Sequence, residues 1–258
     1  DGKILIGTTN AMSLPGGSSK VARLHPDGTV DTSFSLATDY VDRLLVQPDG
    51  KIVKLGFTGG TPEYLRRYLP DGSVDAGFSV PVDNKVTNVA LLADGKMLIS
   101  GPFSRIGTRR FSGLARLHPD GTPDLAFLGK TLFGPSDILV SGKNELFIGG
   151  NFGSVNGVGS GQAKLSNPTA ITSTAQVNAN TIRWTRQGAA AELDWVKAEF
   201  IPQAGGIPVS LGFAQRVSTG WEITSPNPLS NGTVRLYGPA THSSGMIVMA
   251  KELVQVVE

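Results

Sequence analysis

Apolar residues along the first part of the chain come in short bursts, broken by Asp-Gly, Pro-Asp-Gly and Gly-Gly clusters. Nowhere do they hold a helical period with caps. Ile4–Ile6 follows an Asp-Gly turn, and Lys20–Leu24 runs into Pro26-Asp27-Gly28. Val30–Phe34 lies beyond that turn, and Val41–Val46 delivers the chain to the next Asp-Gly. Pro presets φ for such a turn, Asp bonds nearby backbone, and Gly accepts positive φ. The pattern predicts four short strands and then begins again.

Asp1-Gly2-Lys3-Ile4-Leu5-Ile6-Gly7 recurs from Asp49, from Asp94 and, more loosely, from Gly142, a period of about 45–48 residues. A second signature recurs inside each unit. Arg23 to Phe34 contains Asp27 and Asp31; Arg67 to Phe78 contains Asp71 and Asp75; Arg116 to Phe127 contains Asp120 and Asp124. Two signatures at one period define units starting near 1, 49, 94 and 142, the last fading after Pro168. Four strands in about 45 residues is the arithmetic of a β-propeller blade. The expected fold is all-β, with propeller-type four-stranded blades (three full units and a partial fourth) over residues 1–170. Few blades for a closed ring imply that the chain belongs to a longer protein, or that another chain completes the ring.

From about residue 171 to 258 the repeat is gone. Strand-like stretches at Thr181–Thr185, Trp195–Ile201, Ile207–Leu211, Gln215–Val217, Trp221–Thr224, Thr233–Tyr237 and Gly245–Val257 are separated by turn clusters. About seven strands in about 85 residues predict a C-terminal β-sandwich. All three Trp (184, 195 and 221) fall here, which predicts an aromatic core.

Composition narrows the chemistry. With 33 Gly and 16 Pro in 258 residues, punctuation takes about a fifth of the chain. Zero Cys excludes disulfides, a thiol nucleophile and cysteine-ligated metals, while three His leave little for an imidazole site. Lys plus Arg 23 against Asp plus Glu 21 gives no basic half to grip nucleic acid. No apolar run reaches the roughly 18–20 residues of a membrane span.

The strand D-G-K-[ILM]-L-[IV]-x-G, the G-x-F turns at Gly101-Pro102-Phe103 and Gly150-Asn151-Phe152, and the A-R-L-x-P-D-G-[TS]-x-D-x-x-F hairpin resemble the delta-60 repeat. Units one and two depart from the G-x-F turn, with Thr8-Thr9-Asn10 and Phe57-Thr58-Gly59-Gly60 there. The resemblance implies propeller-like arrays in large bacterial proteins, often secreted or surface-associated. The C-terminal part resembles the domain that follows such arrays. It carries Trp184-x-Arg186 to Glu192, Gly205-Gly206, Leu211-Gly212 to Arg216, Gly220-Trp221 and Arg235-x-x-Gly238 in that order. This resemblance implies no known reaction.

Two readings compete for the Asp-Gly-x-x-Asp series at 27/31, 71/75 and 120/124. As calcium loops they offer two carboxylates and some carbonyls against the usual six to eight oxygens. As hairpins they bring Arg23 to Asp31, Arg67 to Asp75 and Arg116 to Asp124, and this structural reading is preferred. His25 and His118 share a slot that holds Leu69 in unit two, and His242 has no acidic neighbour in sequence. No nucleophile elbow and no phosphate loop is present. The expected protein is therefore not an enzyme and uses no cofactor or metal. It is a scaffold presenting a binding surface outside a bacterial cell or on its surface, to a protein or glycan ligand. The alternative is a carbohydrate-binding or ancillary domain, with Tyr40, Tyr64, Phe103 and Phe152 as the aromatic candidates for glycan contact.

Overall fold

The computed structural model describes residues 2–14, 17–36, 41–56, 65–127, 137–141, 145–150, 161–166, 171–188, 190–203, 206–229, 231–240 and 249–256. All regular structure among them is strand, in small antiparallel sheets. No helix is long and apolar enough to cross a membrane. The chain gathers into two compact units, one of residues 1–89, 97–138 and 149–163, the other of 90–96, 139–148 and 164–258.

Strands β1 (Ile4–Leu14) and β2 (Gly17–Leu24) form a two-stranded sheet. β3 (Arg43–Val46), β4 (Ile52–Leu55) and β5 (Leu65–Tyr68) form a three-stranded meander. The pattern returns with β6 (Asn88–Leu91), β7 (Met97–Ser100) and, after the short hairpin β8 (Arg105–Ile106) and β9 (Arg109–Arg110), β10 (Leu114–Leu117). β11 (Asp137–Val140), β12 (Glu145–Gly149) and β13 (Gln162–Ser166) make the last of these sheets. The sheets are framed differently from the sequence repeat. The apolar strand that ends one sequence unit pairs with the Asp-Gly-Lys strand of the next, as β3 does with β4.

The strand expected at Val30–Phe34 does not form. Val30 makes one bridge with Leu24, matched by Tyr68 with Val74 and Leu117 with Pro123. The cause lies in the next residue. Asp31 donates its N–H to the Arg23 carbonyl, then accepts the N–H of Ser33 on Oδ1 at 3.0 Å and that of Phe34 on its carbonyl. The chain thus turns away after a single pair. In the third unit Pro123 has no N–H to extend a ladder. Packing beneath the turns is apolar: Val21, Phe34, Leu36, Val41, Ile52 and Tyr68 form one buried cluster, with Leu5 and Leu44 against it.

The remaining strands form two four-stranded sheets. β14 (Ile171–Asn178) and β15 (Thr181–Gly188) pair along their length, and β15 continues to β19 (Gly220–Thr224) and then β18 (Gln215–Val217). β16 (Lys197–Pro202) lies between β17 (Val209–Phe213) and β20 (Gly232–Pro239), with β21 (Met249–Val256) beyond β20. β20 alternates strictly, burying Val234 and Leu236 and leaving Arg235 and Tyr237 half-covered. β14 lay outside the strands expected from sequence. Gly188, Ala190 and Glu192 of this unit also bond to the 91–94 segment. Ala93 N–H reaches the Ala190 carbonyl at 2.7 Å, Asp94 N–H reaches Gly188, and Glu192 N–H reaches Leu91.

Candidate functional site

Each Arg of the repeat does two things, and two of the three do a third. Arg23 Nε donates to Asp31 Oδ2 at 2.8 Å, Arg67 to Asp75 at 2.8 Å and Arg116 to Asp124 at 2.9 Å. Each guanidinium also lies over the Phe that closes its signature, 4.5 Å from Phe34, 4.3 Å from Phe78 and 5.0 Å from Phe127. Arg23 and Arg67 reach further, donating Nη1 to the carbonyls of Pro70 and Pro119 in the following Pro-Asp-Gly turns. The first Asp of each series serves its own turn instead. Asp27, Asp71 and Asp120 accept the side-chain and backbone donors of Thr29, Ser73 and Thr122. Those hydroxyl bonds hold all three carboxyls below the usual range. Asp31 is held low as well, by the Ser33 hydroxyl and then by Lys3 and Arg23. Among the described residues no three His, Cys, Asp or Glu gather as metal ligands.

The C-terminal signature residues converge on a buried cluster. Arg216 Nη2 donates to Glu192 Oε2 at 2.8 Å, and Arg186 Nη2 to the Ala191 carbonyl at 2.9 Å. Arg186 stacks on Trp184 and Arg216 on Trp221, while Trp184 Nε1 donates to Ser173 Oγ, which donates to Glu252. Burial pulls the Arg186 guanidinium down to about 10. This cluster anchors the 190–192 backbone, with Trp184, Arg186 and Glu192 buried and Arg216 partly covered.

Exposed aromatic surface lies on the outer face of the β17–β16–β20–β21 sheet. Trp195 departs from the expected aromatic core: Trp184 and Trp221 are buried, but Trp195 is 39% and Phe213 65% exposed. Register explains the grouping, since Lys197 on β16 faces Phe213 on one side and Tyr237 on the other. A bulge in β17 beside Ala198 and Glu199 resets the strand just before Phe213. Trp195 meets Phe213 edge to face at 5.7 Å and 84°, and Tyr237 at 6.4 Å and 72°. A methyl at Gly238 would sit 1.8 Å from the Trp195 carbonyl oxygen, so only glycine lets β20 pass this close.

Glu199 ties the patch together. It accepts from Tyr237 Oη at 2.7 Å and Arg235 Nε at 3.0 Å, with Lys197 Nζ at 3.5 Å. The tyrosine and arginine bonds bring its carboxyl down to about 2, and the bond to Glu199, with burial, pushes the Tyr237 phenol up. Val209 is exposed as well, but it pairs with the buried Phe200, on the face of the sheet opposite Lys197 and Phe213. Among the aromatic candidates from sequence, Phe103 is 2% exposed, held in the core beyond the reach of a sugar. Tyr40, Tyr64 and Phe152 lie outside the described residues, as does His242. The Trp195–Phe213–Tyr237 patch was missed from sequence; the bulky residues beside Lys197 on the period-two outer face of β16, β17 and β20 were its signal.

Residues 1–34, 47–78 and 92–127 match a family described as a domain of unknown function (DUF5122), beta-propeller, and the chain is similar to it over those segments. The recurrent turns and small antiparallel sheets fit a propeller-like repeat protein. No curated protein and no solved structure matches the chain.

Proposed function

We propose that the protein is a non-catalytic interaction module of a bacterial cell surface or extracellular protein, a repeat scaffold presenting a binding face. The observation that carries this reading is the exposed Trp195–Phe213–Tyr237 patch on a sheet whose opposite face is buried. Large exposed aromatics on a rigid sheet offer contact area at low entropic cost. The propeller-like repeat, of delta-60 type in this reading, supplies the framework, its fourth blade position reduced to one bridge. The two C-terminal sheets pack as a β-sandwich in this reading, supported by the buried side chains each contributes, Ile182 and Trp184 from one and Val234 and Leu236 from the other. Extracellular placement rests on the resemblance and accords with the absence of Cys.

A carbohydrate ligand is the second reading. It is favoured by two rings at right angles beside carboxylate, guanidinium and phenol groups, a mixture that suits the apolar and hydroxyl faces of a sugar. Polysaccharide pull-downs and a glycan array with wild type, Trp195→Ala and Tyr64→Ala decide the matter. Specific retention lost in Trp195→Ala supports the glycan reading at this patch. Loss in Tyr64→Ala alone moves the site to the repeat. Uniform silence leaves a protein ligand, and turnover of any bound polysaccharide overturns the non-catalytic reading.

A further inference from the structure

The link between β7 and β10 sets the third unit apart. Residues 101–113 hold three Arg and no acid. The same link in the first and fourth units, 8–19 and 150–163, holds no charged residue, and 57–65 in the second holds Glu63 alone. The repeat therefore folds without these cations. In the third unit the link is a braced ribbon. Phe103 and Ile106 are buried beneath it, and Ile106 bridges Val82. Gly107 N–H reaches the Pro81 carbonyl at 2.7 Å, and Phe111 N–H reaches the Ser104 carbonyl at 2.8 Å. Asp83 Oδ1 accepts the N–H groups of Ser104 and Arg105 at 2.8 and 2.9 Å, and its Oδ2 accepts the Ser104 hydroxyl at 2.6 Å. That carboxylate, at the base of the ribbon, is thus engaged by backbone and hydroxyl and not by a guanidinium. Arg105 stands directly opposite Arg110, and Arg109 opposite Ile106, with all three Arg exposed. None of the three makes an ion pair or a side-chain hydrogen bond among the described residues. Like charges set opposite each other weaken a strand pair, so the arrangement works against the fold that carries it.

Two planar guanidiniums at strand-pair spacing make a fork for an oxyanion. We propose that the β8–β9 ribbon is a binding site for an acidic polysaccharide, with Arg105 and Arg110 closing on a uronate carboxylate and Arg109 adding charge at the turn. The surroundings select this occupant. The turn residues Gly107 and Thr108 are exposed and bear no large apolar group, while Phe103 and Ile106 are held in the core and Phe111 is half-buried. A membrane surface would find no apolar anchor here. A protein partner would find no apolar centre for an interface, and a single-stranded nucleic acid no open aromatic platform. Duplex nucleic acid is held by many phosphate contacts, and three cations on a chain of net charge +2 supply few. A sugar chain needs only charge and hydroxyl partners, and Thr108 offers a hydroxyl in the turn. The ribbon belongs to the other compact unit from the Trp195–Phe213–Tyr237 patch, so the proposal stands independently of that site.

The test is retention of the intact chain on immobilised alginate, a polyuronate, with carboxyl-reduced alginate as its neutral counterpart. Alginate should retain the chain at about 20 mM NaCl and release it by about 0.5 M, as salt screens the contact. The reduced polymer should not retain it. Arg105→Gln/Arg110→Gln should bind about tenfold more weakly or worse. Its melting temperature should hold or rise, because the opposed charges are gone. Arg105→Lys/Arg110→Lys keeps the charge but loses the fork, and should recover only part of the affinity. Arg43→Gln, which removes an exposed cation elsewhere, should bind as wild type. No retention at low salt, or retention undiminished in the glutamine double variant, overturns the proposal. Retention that survives that variant and is lost in Trp195→Ala puts the acidic glycan on the aromatic patch and overturns it too. Tighter binding of poly-glutamate, duplex DNA or phosphatidylserine vesicles than of alginate overturns the occupant named here.

Discussion

Replacing Arg67 by Met tests the clamp that recurs through the repeat. The change keeps most of the aliphatic stem and removes three interactions at once: the 2.8 Å bond to Asp75, the contact 4.3 Å above Phe78, and the bond to the Pro119 carbonyl. Breaking one partner of a buried pair costs about 3–5 kcal/mol because the other charge is left behind. Here Asp75 retains the Gly77 N–H at 3.1 Å and Lys51 Nζ at 3.4 Å, so the orphaned charge is partly answered. The net cost should fall to about 2–3 kcal/mol, roughly 30- to 150-fold faster exchange where opening limits it. All Trp residues lie beyond residue 183, so tryptophan fluorescence would report the wrong unit. Hydrogen exchange at the β5 amides and at Phe78, whose N–H bonds the Asp75 carbonyl, reads the right one. Arg43→Met, on the exposed face of the same sheet, should stay within about 0.5 kcal/mol. The Arg67→Met/Asp75→Asn double variant should recover part of the loss, since no unpaired carboxylate remains. If Arg67→Met proves as mild as Arg43→Met, the clamp contributes nothing and the reasoning fails.

Other outcomes follow from the same geometry. Gly28→Ala and Gly72→Ala both force alanine to positive φ, costing about 1–2 kcal/mol, but only the second meets a backbone oxygen at 2.2 Å. Thermal unfolding should rank Gly72→Ala clearly below Gly28→Ala, and equal melting temperatures would dismiss the contact between units. The Glu199 carboxyl sits at about 2 in the fold against an ordinary 4.5. Its contribution is therefore complete above about pH 5 and is lost as pH falls through about 2. The stability gap between wild type and Glu199→Gln should be flat at neutral pH and close on acidification; a gap that widens in acid would reverse the sign. Acrylamide should quench one tryptophan of the three strongly, and Trp195→Phe should abolish that component without unfolding the chain. Quenching that persists would mean Trp184 or Trp221 is open.

Much of the repeat was legible because turn chemistry is local. Pro-Asp-Gly carries its own geometry, and the eight-residue step from Arg to Asp spans one hairpin, where the side chains stand 2.8–2.9 Å apart. The missing third strand was harder to read. Val30 to Phe34 has strand-like residues, but Asp31 bonding Ser33 diverts the backbone, a competition between side chain and ladder that alternation does not register. The reach of Arg23 to Pro70 and of Arg67 to Pro119 spans 47 and 52 residues, and nothing in a single unit announces it. Trp195 was misplaced for a related reason. It precedes β16, outside the alternation that buries Trp184 and Trp221, so its type suggested core while its position put it on the surface. β14 escaped because Ile171-Thr-Ser-Thr-Ala-Gln-Val is short of bulky residues and draws its strand identity from pairing with β15.

The hydrogen bonds from Ala93, Asp94 and Glu192 have a bearing on how this chain comes off the ribosome. A segment made early waits for one made about a hundred residues later before either has its backbone satisfied. Loop closure over that span is slow compared with a hairpin, and meanwhile the 91–94 edge is open to wrong partners. A fragment beginning at residue 171 would emerge with Glu192 N–H and the Gly188 and Ala190 carbonyls deprived of those mates. Trimming the protein for crystallisation at the end of the repeat would thus exchange a finished edge for a sticky one. Retaining residues 90–96, or supplying them as a separate peptide, is the remedy that the ladder itself prescribes.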